Sequence, residues 1–367
     1  MAIMGSIERN MTADTQPRAT VQPSSRKRRL IIRLSSIGDI ILASGVLGAF
    51  ETSDWVVARE FAEILEGHPG IGRVWGFDRK SGLQGWLDLC RKLHAEGYDE
   101  VIALNQTLRS RLARRYFARA DRESGQGRRT VWKVCRKPRF RSWGYFIFKG
   151  LWPRSWRPGL IVDRYASFIG RSRGELRPDL SHLLVDRQWP EQIARPQGPY
   201  FCVMPGSQWK GKRWPVLHFA SLIGLLQRPV VVMGTSRDRE SSELVEQLRK
   251  RGLQPVDAVG KLSLRECAQV LAHSSGYIGN DTGLGHLAEA VGVPAHMIFG
   301  PTAPDQGFGP WKPGSTASGA TLWCRPCGKD GRSCFRVFNR YRCMSVLPPS
   351  QVAKVIASGR GESDVGH

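Results

Sequence analysis

A chain of 367 residues exceeds what one hydrophobic core ordinarily organises, so two domains are expected, and 41% hydrophobic with 24% charged residues excludes a fibrous or wholly disordered protein. Its 55 Lys and Arg against 32 Asp and Glu leave a net charge of +23, a field that draws polyanions: nucleic acid, an anionic membrane surface or a phosphorylated substrate. No run approaches the roughly 20 apolar residues of a membrane-spanning helix, and the start of the chain is polar without an apolar signal core, so a cytoplasmic protein with a disordered basic tail over 1–27 is expected.

The apolar run Arg29 to Leu34 reads as a strand buried in a parallel sheet. The turn Ser35-Ser36-Ile37-Gly38-Asp39 follows, then apolar residues at helical spacing from Ile40 to Phe50, which together open a βα unit. Further strands are expected near Trp55 to Ala58, Val74 to Phe77 and Val101 to Leu104, with a helix through Leu83 to His94. From Arg109 to Arg173 the pattern degrades: nineteen Lys and Arg stand against three Asp and Glu, with Trp132, Trp143, Trp152 and Trp156 interleaved. Arg187 to Gly198, holding Pro190 and Pro196, reads as a linker.

A more regular series follows. Strands are expected at Tyr200 to Met204, Pro229 to Gly234, Gly276 to Gly279 and Ala295 to Gly300, with helices from near Pro215, over Asp238 to Arg251, Leu264 to His273 and Gly283 to Val291. Strands alternating with helices predict an α/β protein of two Rossmann-like domains, whose parallel sheets face a central cleft. The first domain spans 28–187, the second 199–345, and 346–367 forms a C-terminal helix and tail. Ligands of such sheets sit outside the carboxyl ends of the strands, which directs attention to three loops.

In the first loop Gly38 permits a tight turn and Asp39 stands at a helix start, either as a cap or as a general base presented to the cleft. The second, Met204 to Pro215, places two Gly, the hydroxyl of Ser207 and three cations between a strand and a helix: a phosphate cradle or a solvated basic loop. The third, Gly279 to Ala288, has two glycines that would let an anion approach the N–H groups of Thr282 and Gly283, with His286 one turn on, facing phosphate or serving as a structural histidine. It also matches G-x-G-x-x-A, with Asp305 further on, but that fingerprint belongs on a domain's first strand, and several strands precede it here.

Cys324, Cys327, Cys334 and Cys343 follow a C-x2-C-x6-C-x8-C spacing that could hold a structural zinc, stapling a loop too polar to build its own core, or remain reduced or partly paired thiols. Cys90, Cys135, Cys202 and Cys267 are scattered singly as small core residues.

The strand-loop RLIIRLSSIGDIIL, the loop PGSQWKGKRWP and the turn NDTGLGHLAEAVGVP, in that order, resemble the lipopolysaccharide heptosyltransferases of glycosyltransferase family 9. The late segment CRPC, with Cys334 and Cys343 beyond it, resembles the end of the heptosyltransferase II branch. The likeness runs from Arg28 to Ile356 and is specific at the three loops. It implies a GT-B fold and an inverting transfer from ADP-heptose to a phosphorylated, lipid-linked saccharide of the lipopolysaccharide inner core, with no cofactor required. Asp39 would be the base and Lys212 the cation facing the leaving diphosphate; Ser207, Gln208, Gly234, Asp281, Thr282, Gly283 and His286 would line the nucleotide-sugar site, and Ser35, Ser36 and Gly38 the acceptor loop.

The chain departs from the family in its long N-terminal tail and in the basicity of Arg109 to Arg173. That segment is expected to rest on the anionic inner face of the bacterial inner membrane, making the protein peripheral there, or to pack on the sheet with its charges solvated. Two other classes stay open: a nucleic-acid-binding protein with a four-cysteine zinc module, and a non-catalytic nucleotide-sugar-binding scaffold. The three loops would have no role in the first, and the presence of both Asp39 and Lys212 counts against the second.

Overall fold

In the computed structural model, which describes residues 27–125, 129–137, 139–184, 188–328 and 330–359, the short apolar runs become strands covered on both faces. Runs such as RLII and VVVM lack polar alternation, so only a sheet sandwiched between helices can bury them. Five strands, β1 (Arg29–Ile32), β2 (Ser53–Ala58), β3 (Ile71–Phe77), β4 (Glu100–Ala103) and β5 (Val131–Val134), pair in parallel in the order β3-β2-β1-β4-β5. Six more, β6 (Phe201–Met204), β7 (Val230–Gly234), β8 (Val256–Val259), β9 (Gly276–Asn280), β10 (Ala295–Phe299) and β11 (Thr316–Gly319), form a second parallel sheet in the order β11-β10-β9-β6-β7-β8. Each is a doubly wound order that reverses direction once, between β1 and β4 and between β6 and β9. Those reversals open crevices at the strand ends, and all three loops singled out from the sequence leave from the strands beside them.

Helices α1 (Ile37–Ser44), α2 (Gly82–Ala95), α3 (Leu108–Glu123), α4 (Arg139–Phe148) and α5 (Ile161–Phe168) accompany the first sheet. The second carries α6 (Val216–Leu226), α7 (Arg239–Lys250), α8 (Leu264–Ala272), α9 (Gly283–Ala290), the short α10 (Arg342–Ser345) and α11 (Pro349–Ser358). Val352 of α11 is buried in the same cluster as Phe219 and Ile223 of α6, so the helix expected over 346–367 belongs to the second domain's core. The expected tail over 1–27 lies, up to residue 26, outside the described residues.

The domains share a core. Ile41 of α1 and Ile64 sit in one apolar cluster with Tyr277, Leu287 and Met297 of the second domain. Backbone ties cross beside it, from Leu180 N to Ala290 O at 2.9 Å and from Ile161 N to Gly307 O at 2.9 Å. The stretch read as a linker is packed too: Ile193 is buried, and Trp189 stacks edge-on with Tyr200 and donates to Ile193 O at 2.9 Å.

The region whose pattern degrades is regular in the structure. It holds α3, β5, α4 and α5, because α3 buries only Ser110, Ala113 and Phe117 and leaves its arginines in solvent, a stripe too thin to dominate the sequence pattern. Among the described residues no helix is long and apolar enough to cross a membrane.

Candidate active site

The start of α1 is built around Asp39. Its Oδ2 accepts from Ser36 N at 3.2 Å and Ser36 Oγ at 3.0 Å, closing the helix start, while Oδ1 pairs with the guanidinium of Arg33. The Arg33 side chain is 5% exposed and that of Asp39 18%, so a nearly buried cation fixes a carboxylate that still reaches open space. Capping and presentation to the cleft are thus compatible in one residue.

That open space is a cavity of about 650 Å³ between the domains, the size of a small-molecule site. Arg33 and Asp39 after β1, Leu104 and Gln106 after β4, and Arg136, Lys137, Tyr145 and Arg164 line one side; Gln306 and Phe308 reach in from the second domain. Two residues of this wall carry buried donors with no hydrogen-bond partner, Arg33 Nε and Arg164 Nε, and so does their neighbour Tyr165, at Oη. Burial pushes the Tyr165 phenol up to about 12, against the pull of Arg33 and Arg164, which keeps it a neutral donor.

The second domain presents the other two loops as one unit. Asn280, fully buried at the end of β9, accepts from Trp214 N at 3.1 Å and donates to Pro205 O at 2.6 Å, clamping both ends of the loop between β6 and α6 onto the turn before α9. Lys212 Nζ lies 2.6 Å from Asp281 Oδ2, which also accepts from Thr302 Oγ1 at 3.0 Å; the two paired side chains are 13% and 5% exposed. Ser207 is buried with its carbonyl accepting from Arg213 Nε at 2.8 Å, Gln208 is exposed, and Gly234 ends β7 against Ser241 and Asp238.

The first and third loops touch. A Cβ on Gly38 would lie 3.2 Å from His286 Cδ2 and 3.3 Å from Gly283 Cα, and one on Gly283 would collide with Ile37. One on Gly285 would lie 2.7 Å from Met297. The α9 glycines, expected to admit an anion, are therefore required for close packing of α9 against α1 and β10. Thr282, the N-cap of α9, bonds its hydroxyl to Tyr277 Oη at 3.0 Å. His286 is 1% exposed at the domain seam, its Nδ1 3.6 Å from Glu289 Oε2. Glu289 Oε1 in turn accepts from Trp311 N at 2.7 Å and Lys312 N at 2.9 Å, tying α9 to the loop that carries Phe308.

So the structure brings Ile37 and Gly38, between Ser35-Ser36 and Asp39, against Gly283 and His286, and joins Lys212 to Asp281 one step before Thr282. Of the residues singled out from the sequence, Asp39 alone lines the large cavity. Arg33, Arg164, Asn280 and Thr302 were missed; a cation inside the apolar run RLIIRL was the available signal for Arg33.

The cysteine loop folds over the Lys212 loop: a Cβ on Gly211 would meet Gly331 O and the Tyr341 ring, and Arg332 stands 4.4 Å over Trp209. All four thiols are free, with Cys324 and Cys343 buried. Burial pushes Cys343 up to about 11, with Cys327, Cys324 and Cys334 adding to the shift against Arg325, which sets the four in one neighbourhood. Among the described residues, however, no three His, Cys, Asp or Glu side chains are arranged to hold a metal ion.

The chain is 29% identical over 332 residues to lipopolysaccharide heptosyltransferase 1 of Pseudomonas aeruginosa, covering 82% of this chain and 86% of that one. It is 34% identical to lipooligosaccharide heptosyltransferase 2 of Haemophilus influenzae, but over 110 residues, 28% of this chain and 31% of that one. The longer likeness therefore runs to heptosyltransferase 1, while heptosyltransferase 2, the branch expected from the cysteine segment, is matched over shorter stretches. An Escherichia coli heptosyltransferase solved with ADP shares the fold at a TM-score of 0.62 and 22% identity, over 90% of this chain and 99% of that one. The model for glycosyltransferase family 9 (heptosyltransferase) matches residues 156–335, and the chain is similar to lipopolysaccharide heptosyltransferases along most of its length.

Proposed function

We propose that the chain is an inverting glycosyltransferase that moves a heptose, or a related sugar, from ADP-heptose to an inner-core acceptor of lipopolysaccharide. The observation that carries this reading is the contact of the Asp39 loop with the start of α9, the helix that follows the Lys212–Asp281 pair, with the Asp39 carboxylate on the cavity wall. The heptosyltransferase relatives and the ADP held by the E. coli neighbour support the choice of donor.

The acceptor oxygen would attack the anomeric carbon while Asp39 takes its proton, and the bond to the diphosphate breaks on the opposite face. Charge growing on the departing ADP would be met by N–H groups at the start of α9 and by Lys212, which must exchange Asp281 for a phosphate oxygen. Ser207, Gln208, Gly234, Thr282, Gly283 and His286 keep their assignment to the donor half as part of this proposal. Arg33, Arg136, Lys137 and Arg164 give the acceptor side a positive wall that suits phosphate or carboxylate oxygens of an acidic saccharide.

A thermal-shift panel tests the donor. A ligand at 100-fold its Kd adds about 2.7 kcal/mol to stability, so ADP and ADP-heptose should raise the midpoint while UDP and GDP analogues leave it unchanged. A selective response to another nucleotide overturns the donor assignment. A structural zinc on the four clustered thiols is a separate proposal that needs the loop to tighten, and purified protein with well under one metal equivalent ends it. The place of work proposed is the inner face of the inner membrane.

A further inference from the structure

Two stretches outside the Asp39 and Lys212 loops meet on one face of the molecule. Between Glu123 and Asp163 the sequence has no acidic residue against ten Lys and Arg. Between Asp305 and the end of α10 the sole acid is Asp330, already paired with Arg332 at 2.8 Å.

Apolar side chains stand out of this positive surface. Along α4, Phe140, Trp143 and Ile147 point outward at helical spacing, and Leu151 just beyond is 89% exposed. In the loop before α10, Val337 and Phe338 are 81% and 83% exposed. The two groups are joined: Lys149 Nζ donates to Trp323 O at 3.0 Å and stands 5.2 Å over the Trp323 ring, which meets Phe335 at 6.0 Å. A surface hollow of about 430 Å³ has Trp143 and Phe146 on one side and Pro326 and Phe335 on the other. An exposed apolar area of this extent, spanning two domains, marks a site of association.

The geometry points to this patch as a seat on an anionic lipid bilayer. Cations interleaved with Trp and with protruding aliphatic side chains match the headgroup–acyl boundary, where charge is drawn to phosphates and apolar tips are buried. A second copy of the chain would bring two single-signed positive surfaces together, which opposes self-association. Nucleic acid would satisfy the cations and stack on rings, but would leave Ile147, Leu151 and Val337 in water. Trp143 and Phe146 line both the surface hollow and the large interdomain cavity, so docking sets the cavity's mouth at the lipid surface. One lip of that mouth comes from each domain, and a bilayer touching both holds them together. The inference rests on the proposed function only in making a lipid-linked acceptor the reason for docking.

The test uses the full chain and the variant Leu151→Ser/Val337→Ser/Phe338→Ser, whose three changes lie outside both cavities. Wild type should float with phosphatidylcholine vesicles containing phosphatidylglycerol, less so as salt rises, and not with phosphatidylcholine alone. The variant should keep its melting midpoint and lose roughly tenfold or more in vesicle binding. Its rate on a de-acylated acceptor should be unchanged, while its rate on a vesicle-embedded acceptor falls in step with binding. Absence of wild-type binding to anionic vesicles, equal binding by the variant, or a dimer or nucleic-acid complex that the variant abolishes while lipid binding persists would each overturn the docking surface. Vesicle binding as expected with no transfer to either acceptor would overturn the proposed activity and leave the surface standing.

Discussion

The two walls of the cleft are prepared differently. On the proposed donor side most polar groups are already paired, Lys212 with Asp281, Asp281 with Thr302, Thr282 with Tyr277, and Asn280 with both ends of the β6–α6 loop, while His286 Nδ1 and Glu289 Oε2 are buried without a hydrogen-bond partner. On the acceptor side Asp39 is held by Arg33 and Ser36, but Arg33 Nε, Arg164 Nε and Tyr165 Oη are buried without partners. Buried polar groups are nearly always satisfied, and two of these three donors belong to residues that line the cavity, Arg33 and Arg164. The proposed donor wall would have to break the Lys212–Asp281 pair before Lys212 could hold a diphosphate.

The largest effect expected from this contrast is at Asp39. Asp39→Asn keeps the volume and an acceptor for Ser36 N but removes the base, and should lower kcat by about 10²- to 10⁴-fold. Affinity for ADP, measured by calorimetry, should be nearly unchanged because the proposed role of the carboxylate is on the acceptor. The variant also leaves Arg33 without its anion, so the melting midpoint is recorded alongside. A folded Asp39→Asn enzyme with wild-type kcat would reduce Asp39 to a helix cap.

Lys212 gives the next effect, and it separates stability from chemistry. Lys212→Ala strands the buried Asp281 carboxylate with Thr302 alone and should destabilise the fold by about 3–5 kcal/mol while weakening both donor binding and turnover. Adding Asp281→Asn should recover much of the stability, since no uncompensated charge remains, and none of the turnover. Denaturant melts and initial rates on the two variants decide it. Recovery of turnover in the double variant would assign Lys212 to the fold and not to the leaving group.

The donor wall was also the more legible one. Its strands are continuous apolar runs that stop abruptly at Gly, Asn or Pro, so PGSQWKGKRWP and NDTGLGH stand out as loops at strand ends. What the sequence could not separate was the use of a glycine: an approaching phosphate and an approaching helix make the same demand for no Cβ, and Gly38, Gly283 and Gly285 answer the second. The acceptor wall was obscured because its cations sit in α3-to-α5 territory, where a thin buried stripe is submerged in arginine. Asn280 was passed over because its partners, Pro205 O and Trp214 N, are backbone atoms that no side-chain pattern announces. The edge strands β8 and β11 were missed for a simpler reason, being four residues each, with Asp257, Thr316 and Ser318 among them.

The smallest effect concerns the seam that holds the two walls together. His182 lies against Ile64 O at 3.0 Å, with the His68 ring 4.9 Å from its own. Burial lowers His182 to about 4, helped by His68 and Arg265 against the opposing pull of Asp179, and burial lowers His68 as well. Both rings are thus neutral in the fold at a pH where the unfolded chain would already bind protons. Stability at this seam is fully present above the ordinary value of 6.5 and is lost as pH falls from there toward about 4. Denaturation midpoints at pH 7, 5.5 and 4 should therefore decline, and His182→Gln, which keeps a donor for Ile64 O without a titrating ring, should decline less steeply. Identical slopes in the two proteins would show that the seam does not titrate, and would leave acid sensitivity to groups elsewhere, the buried His296 first among them, since burial lowers it to about 4 as well.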